Sequence, residues 1–141
     1  MPRKTIATLA TLWVLAYPTV GAWGAVHAAK AAKPKAKITT VTVSGPSTKC
    51  HRWGQLVIRI KAQKTVNGNK VTLKLLKIDY PVYPKATFRS VYINDQALPL
   101  LIEEALEVQG PNVETISGAT DVTVAFKASL QGAILAAKKQ P

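Results

Sequence analysis

The first half of the chain beyond residue 37 alternates apolar and polar side chains, the pattern of β-strands. One alternating stretch runs from Ile38 to Val43, and a second from Gln55 to Gln63. A third β-like stretch runs from Val71 to Ile78, after the turn-forming residues 67–69. A period of two sends successive side chains to opposite faces, so each stretch predicts a strand. Residues 55–78 therefore predict an antiparallel hairpin with a loop of several residues.

Two prolines interrupt the strand pattern directly after this hairpin. They lie in the stretch Tyr80-Pro81-Val82-Tyr83-Pro84. Because proline has no N–H to donate to a sheet, this stretch predicts either a loop or an irregular sheet edge.

Apolar residues recur at helical spacing in the second half of the chain. A first helix is predicted between residues 95 and 109, with Asn94 or Asp95 as its cap and Pro99 in its first turn. Gly110-Pro111 follows, as expected where a helix ends. The side chains predicted to be buried on this helix are Leu98, Leu101, Ile102, Ala105 and Val108.

A second helical pattern closes the chain and completes the predicted fold. It runs from about Val122 to Ala137 and follows a short predicted strand at residues 112–116. Its predicted buried face consists of Val122, Phe126, Leu130, Ala133, Ile134 and Ala137. Together these elements predict an α+β fold, a small antiparallel sheet with two helices packed on it.

The amino-terminal segment has the organisation of a secretory signal peptide. Arg3 and Lys4 precede an apolar run of about fifteen residues, shorter than the roughly twenty that a membrane-spanning helix needs. Small residues follow, and cleavage is predicted after Ala28. Residues 1–28 are thus a predicted signal peptide, residues 29–37 an Ala/Lys/Pro-rich tether, and residues 38–141 a single domain. An extracytoplasmic protein is expected, secreted or in the cell envelope, with membrane anchoring by an uncleaved signal as the alternative.

Much of the positive charge lies near the two ends of the chain. The formal net charge of the whole chain is +12. Without the predicted signal peptide, the tether and the tail residues Lys138 and Lys139, the chain has eleven basic residues against seven acidic ones, a net charge of +4 (11 − 7). This balance argues against a dedicated nucleic-acid-binding protein. It remains compatible with a mildly basic face toward an anionic cell surface.

Cysteine and histidine are too scarce for several kinds of site. Cys50 is the only cysteine, so an internal disulfide is excluded. The two histidines are His27, inside the predicted signal, and His51, which do not suffice for a histidine-rich metal site. No nucleophile and base pair is apparent. Neither catalytic residues nor metal ligands are therefore assigned.

Small and hydroxyl-bearing residues separate the last predicted strand from the last helix. They are Ser117, Gly118, Ala119 and Thr120. The first N–H groups of a helix have no partner within it, and the helix dipole adds partial positive charge there, so a phosphate is favoured at such a corner. The alternative is that the serine and threonine cap the helix and that the glycine forms a turn. Asp121 would repel a phosphate if it faced the same way.

The order of several short motifs resembles the small FMN-binding domain found in the RnfG and NqrC subunits of membrane redox complexes and in exported bacterial proteins. The resemblance covers roughly residues 38–137. The motifs that carry it are Arg52-Trp53-Gly54, Ile93-Asn94 with Pro99, Glu104-Ala105-Leu106, Gln109, Ser117-Gly118-Ala119-Thr120, and Ala125 with Ser129-Leu130-Gln131.

This resemblance implies an exported FMN-binding electron-transfer domain. FMN would be held through its phosphate by Ser117, Gly118 and Ala119, and in many members of the family a flavin transferase links the phosphate covalently to the residue that corresponds to Thr120. Glu114 would assist recognition by that transferase. The expected partners are the transferase and a redox donor and acceptor, with a membrane redox complex among the candidates. The candidates for contact with the flavin ring are Trp53, Tyr83 and Tyr92, and packing in the core is the alternative role for each.

Two other functions are alternatives to a flavin carrier. The first is a non-redox cell-envelope binding protein on the same scaffold, whose basic tether contacts an anionic surface. The second is a flavin reductase, which would need a dinucleotide-binding fingerprint that the chain lacks. A flavin carrier is therefore favoured over a stand-alone enzyme.

Overall fold

The computed structural model describes residues 35–51 and 53–141. The elements in chain order are β1 (Lys37–Ser44), β2 (Thr48–Lys49), β3 (Gln55–Asn67), β4 (Lys70–Val82), α1 (Phe88–Glu107) and α2 (Thr120–Lys139). They form a four-stranded antiparallel sheet with two helices, the α+β arrangement that the sequence predicts. The predicted signal peptide and residues 29–34 of the predicted tether lie outside the described residues. Neither described helix has the length and apolar character to cross a membrane.

β3 is the central strand, and every other strand pairs with it. β1 and β2 pair with it antiparallel, with Val41 opposite Ala62 and Thr48 opposite Leu56. β4 pairs with it as a hairpin. The predicted hairpin is confirmed, but its loop is shorter than expected. Gly68 adopts a φ of 59°, which lets the chain reverse in a two-residue turn.

One face of β3 forms the floor of the core. Its side chains Leu56, Ile58, Ile60 and Ala62 are fully buried, as the period of two predicts. All six side chains predicted to be buried on the last helix are buried. Together these two sets account for most of the apolar packing between sheet and helix.

The proline-containing stretch after the hairpin is divided between the sheet and a loop. β4 continues through Pro81 and ends at Val82, which pairs with Val57 across a register shift. The predicted irregular edge is therefore observed up to Val82, and Tyr83 and Pro84 lie in the loop that follows. Among the described strands β4 pairs only with β3, so the proline disturbs no second ladder.

The first helix begins seven residues before its predicted start. Thr87 is its cap, and the Thr87 side chain accepts a hydrogen bond from the Ser90 N–H at 3.1 Å. The predicted cap Asn94 lies inside the helix instead, and Pro99 lies in its interior. Thr87 offers the same capping chemistry, followed by a run of residues without proline or glycine, so the helix starts there. The predicted burial of Val108 is wrong, because this residue is the C-cap and is 48% exposed.

The end of α1 is held by Gln109 and not by a glycine. Gln109 adopts a φ of 52°, and the following Gly110 N–H donates to the Ala105 carbonyl at 3.2 Å, which closes the helix as a Schellman motif. The Gln109 side-chain oxygen accepts from the Leu75 N–H at 2.7 Å, and its amide nitrogen donates to the Leu75 carbonyl at 3.3 Å. Gln109 thus pairs with β4 as a neighbouring strand residue would.

The predicted strand at residues 112–116 is wrong. No ladder forms there among the described residues. Side chains from the two helices satisfy its N–H groups instead: the Glu114 N–H donates to Glu104 Oε1 at 2.7 Å, and the Ile116 N–H donates to Thr123 Oγ1 at 3.5 Å. Val113, within this segment, is buried, which explains the apolar character of the pattern.

Buried polar contacts and two glycines hold α2 close to the sheet. The Ser129 hydroxyl accepts from the Ile58 N–H at 3.0 Å and donates to the Pro46 carbonyl at 2.8 Å. A Cβ at Gly45 would lie 2.0 Å from the Ser129 carbonyl oxygen, and one at Gly132 would lie 2.2 Å from Pro46 Cδ. These close approaches fix the position of α2, and therefore of its amino terminus, on the sheet.

The opposite end of α2 is closed by a lysine from β3. The Lys64 ammonium donates to the carbonyls of Lys138 and Gln140, although Lys64 itself is only 6% exposed. A cation at this end of a helix also complements the negative end of its dipole.

Candidate functional site

A cavity lies where the amino termini of the two helices meet. Its volume is about 370 Å³, within the range of roughly 300–1,000 Å³ typical of small-ligand sites. One wall comes from the first turns of α1, a second from residues 118–122 at the start of α2, and the third from Trp53 and Pro84. The α1 residues in the wall are Thr87, Arg89, Ser90, Ile93 and Asn94.

The corner before α2 is a tight turn. The Ala119 N–H donates to the Ile116 carbonyl at 3.0 Å, and Gly118 adopts a φ of 81°, as the third residue of a type II turn requires. No atom outside its immediate neighbours lies within 4 Å of where a Gly118 Cβ would be. Gly118 is therefore required for its backbone conformation, and it leaves the corner open on the cavity side.

No side chain caps α2 among the described residues. Its N-cap is Ala119, so the alternative that Ser117 or Thr120 caps the helix is wrong. Both hydroxyl-bearing side chains are exposed instead. The nearby Thr123 hydroxyl is engaged below the turn, where it donates to the Ala119 carbonyl at 3.0 Å. The first N–H groups of α2 are consequently left for a ligand or solvent at the cavity wall.

Two charged side chains of opposite sign line the cavity. Arg89, in the first turn of α1, is exposed and supplies a guanidinium. Asp121, in the first turn of α2, supplies a carboxylate and also borders a neighbouring depression with Lys49 and His51. The site therefore offers an anion both attraction and one specific repulsion.

Asn94 carries a buried polar atom without a partner. The residue is 1% exposed and lies in the cavity wall. Its side-chain nitrogen donates to the Pro84 carbonyl at 2.8 Å, whereas Oδ1 has no hydrogen-bond partner in the described structure. The sequence made Asn94 one of two candidate helix caps, with Asp95, because both residue types are strongly preferred at that position.

Cys50 lies beneath the loop that carries Trp53. Its side chain is fully buried. Burial, and to a smaller extent the negative charge of Asp121, together raise the pKa of the Cys50 thiol to about 11. The protonated thiol is a poor nucleophile, so Cys50 acts as a small apolar residue near neutral pH.

The structure brings three of the five predicted cofactor-site residues to the cavity. Gly118, Ala119 and Thr120 line it. Ser117 lies on the exposed side of the turn, and Glu114 lies on the preceding segment, so neither is part of the cavity wall.

One of the three aromatic candidates for ring contact lies at the cavity. Trp53 lines it. Tyr83 packs edge-to-face on Tyr80, with ring centres 5.5 Å apart, and Lys85 Nζ lies 4.4 Å from the Tyr83 ring centre. Tyr92 is 67% exposed on the outer side of α1. Only Trp53 is therefore placed to contact a ligand in the cavity.

The residues present fit a phosphate ester. The uncapped start of α2, the Arg89 guanidinium and the exposed Thr120 hydroxyl suit the phosphate. The unpaired Asn94 oxygen suits a hydroxyl or N–H group in the rest of the ligand. The described part of the chain contains no group of three or more side chains suited to hold a metal ion.

Comparison with known proteins places the chain in no family. No protein-family model matches it, and no curated protein matches its sequence. The functional interpretation therefore relies on the cavity and on the sequence resemblance.

Proposed function

We propose that the chain is an exported FMN-binding electron-transfer domain whose flavin phosphate lies at residues 117–120 and is esterified to Thr120. The observation that carries this proposal is the position of the Thr120 hydroxyl, exposed in a cavity wall at the start of a helix without a side-chain cap. A helix start of this kind attracts the phosphate and presents the acceptor oxygen beside it.

The chain's own groups would stabilise the phosphate. Unpaired N–H groups at the start of α2 would donate to its oxygens, and the α2 dipole would add partial positive charge. Arg89 offers a fork of donors from the facing helix. Gly118 keeps the approach free of a side chain. FMN, once bound, supplies the electron-transfer chemistry, while the protein holds and orients it.

Attachment to Thr120 needs an activated flavin donor. We assign this role to a flavin-bearing phosphoanhydride used by a flavin transferase. In this step Thr120 Oγ1 would form a bond to the phosphorus that carries the flavin, and the anhydride bond would break. The second phosphate of the anhydride would leave with its substituent, and the threonine proton would pass to solvent. Exposure of Thr120 is what gives a separate enzyme access to this oxygen.

Intact mass of the exported protein tests the proposal. The full chain is produced with and without a flavin transferase, and its mass and visible absorption are recorded. A mass increase equal to one FMN, less water, is expected only with the transferase. It should be lost in Thr120→Ala and kept in Thr115→Ala, a matched change at an exposed threonine on the preceding segment.

Two results would count against different parts of the proposal. If the wild-type protein gains neither the mass increment nor flavin absorption, the flavin-carrier function is wrong. If the increment persists in Thr120→Ala, the attachment site is wrong and the carrier function stands.

A second candidate function is supported by the open face of the sheet. Arg59, Lys61, Lys74 and Lys77 are exposed, and the carboxylate of Asp79 pairs with Lys77 at 2.7 Å. With the basic tether, this face suits a non-redox protein that binds an anionic envelope surface. Salt-sensitive binding to anionic vesicles by flavin-free protein would support this function, and unchanged binding after deletion of residues 29–37 would refute the role of the tether.

A further inference from the structure

The unpaired side-chain oxygen of Asn94 belongs to a residue of the cavity wall. We infer that Asn94 Oδ1 accepts a hydrogen bond from a hydroxyl of the bound ligand, so that the cavity holds the ribitol phosphate portion of FMN. The identity of the ligand rests on the proposed function. The position of the acceptor rests on the structure alone.

The orientation of the Asn94 amide follows from its one hydrogen bond. Its partner is the Pro84 carbonyl, 2.8 Å away, and a carbonyl can only accept. The amide nitrogen must therefore face Pro84, and the oxygen must face away from it. Rotation of the amide by half a turn would place two acceptors together and lose the bond.

A buried acceptor without a partner is uncommon in a folded protein. Most buried polar atoms are paired, since an unpaired one loses its hydration without compensation. Asn94 is 1% exposed, and Oδ1 is the single buried side-chain atom of this kind among the described residues. An acceptor in a cavity wall that has lost its hydration in this way is suited to accept a hydrogen bond from a ligand.

The neighbouring hydroxyls are already engaged with each other. Thr87 Oγ1 lies 2.8 Å from Ser90 Oγ and also accepts from the Ser90 N–H. Asn94 Oδ1 is therefore the buried side-chain acceptor of the wall that is left without a partner, whereas the start of α2 and Arg89 favour an anion. A ligand that satisfies both has a phosphate and a hydroxyl-bearing chain, as ribitol phosphate does.

Binding of flavin fragments tests this assignment. The full chain, produced without a flavin transferase, is titrated by calorimetry with ribitol 5-phosphate, pentyl phosphate and inorganic phosphate. Pentyl phosphate keeps the chain length and the phosphate but has no hydroxyls. One lost hydrogen bond with a buried acceptor corresponds to about a tenfold weaker affinity, so ribitol 5-phosphate should bind about ten times more tightly than pentyl phosphate.

Two substitutions separate the acceptor from the Pro84 contact. Asn94→Leu removes both and should abolish the preference for ribitol 5-phosphate over pentyl phosphate. Asn94→Asp, which burial favours in its neutral form, can donate to Pro84 and keep a carbonyl acceptor, so it should retain the preference. Thermal unfolding of each variant reports its folding, and the wild-type preference is informative by itself if Asn94→Leu does not fold.

The outcomes distinguish this inference from the proposed function. Equal binding of ribitol 5-phosphate and pentyl phosphate to the wild type overturns the inference, even if Thr120 carries flavin. A hydroxyl preference that Asn94→Leu leaves unchanged overturns it as well. A preference that depends on Asn94 in a protein that never acquires flavin supports the hydroxyl contact and overturns the flavin-carrier function.

Discussion

The Ser129 hydroxyl is expected to contribute more to stability than its size suggests. It lies on α2, is fully buried, and bridges the Ile58 N–H of β3 at 3.0 Å and the Pro46 carbonyl of the β1–β2 connection at 2.8 Å. Ser129→Ala removes one oxygen and leaves both backbone groups without their partner. The helix keeps its propensity, since alanine is the best helix former.

The expected loss follows from the burial of the two groups. A buried N–H left unpaired costs about 1–3 kcal/mol. The contact with Pro46 is only partly buried, so water can replace part of it. We therefore expect Ser129→Ala to lower the free energy of unfolding by about 2–3 kcal/mol. This is a large part of the roughly 5–15 kcal/mol typical of a small domain.

Urea unfolding followed by tryptophan fluorescence measures this difference. Ser47→Ala is the matched control, because it removes an exposed hydroxyl whose partner is Gln55 Oε1, 2.9 Å away. The control should change the free energy of unfolding by less than about 0.5 kcal/mol. Equal effects of the two substitutions would show that the Ser129 bridge does not hold α2 on the sheet.

Three further predictions concern charged and titratable groups. Lys64→Met should lower the free energy of unfolding by about 1.5–3 kcal/mol in urea unfolding, because the ammonium no longer pairs with the last α2 carbonyls, whereas Lys61→Met on the exposed face should be nearly neutral. Asp121→Asn should tighten binding of inorganic phosphate severalfold in calorimetry, since a like charge leaves the cavity wall; unchanged affinity would contradict this placement of Asp121. The pKa of Cys50 is raised from its ordinary value of 9.0 to about 11, so it stabilises the fold below pH 9, and this effect is lost as the pH rises toward 11. In urea unfolding across that pH range, the free energy of unfolding should therefore decline less in Cys50→Ala than in the wild type. An equal decline in the two proteins would refute the raised pKa of Cys50.

Local sequence patterns predicted the elements that bury one continuous face. The inner face of β3 and the buried face of α2 follow directly from spacings of two and of three to four residues. The start of α1 could not be placed this way, because Thr87 and Asn94 both offer capping chemistry and only the tertiary contact with Pro84 removes Asn94 from that role. The segment at 112–116 failed similarly, since its N–H groups are satisfied by Glu104 and Thr123 from other elements.

Some residues of the cavity wall are neighbours in the sequence, and others are brought to it from distant positions by folding. Residues 118–120 are adjacent in sequence, so their small side chains predicted an open helix start. Arg89 and Trp53 join them only through folding, from positions some thirty and sixty-five residues away. Nothing in the spacing of these residues indicates that they share a wall.

The motifs that carry the sequence resemblance fall into two structural roles. Trp53, Asn94 and Thr120 lie in the cavity wall. Gln109 and Ser129 lie away from it, and each replaces a missing backbone partner of the sheet, Gln109 at Leu75 of β4 and Ser129 at Ile58 of β3. These two contacts attach one helix each to the sheet, which fixes where the two amino termini meet. The cavity therefore depends on Gln109 and Ser129 as well as on the residues that line it, because it forms only where both helices are held on the sheet.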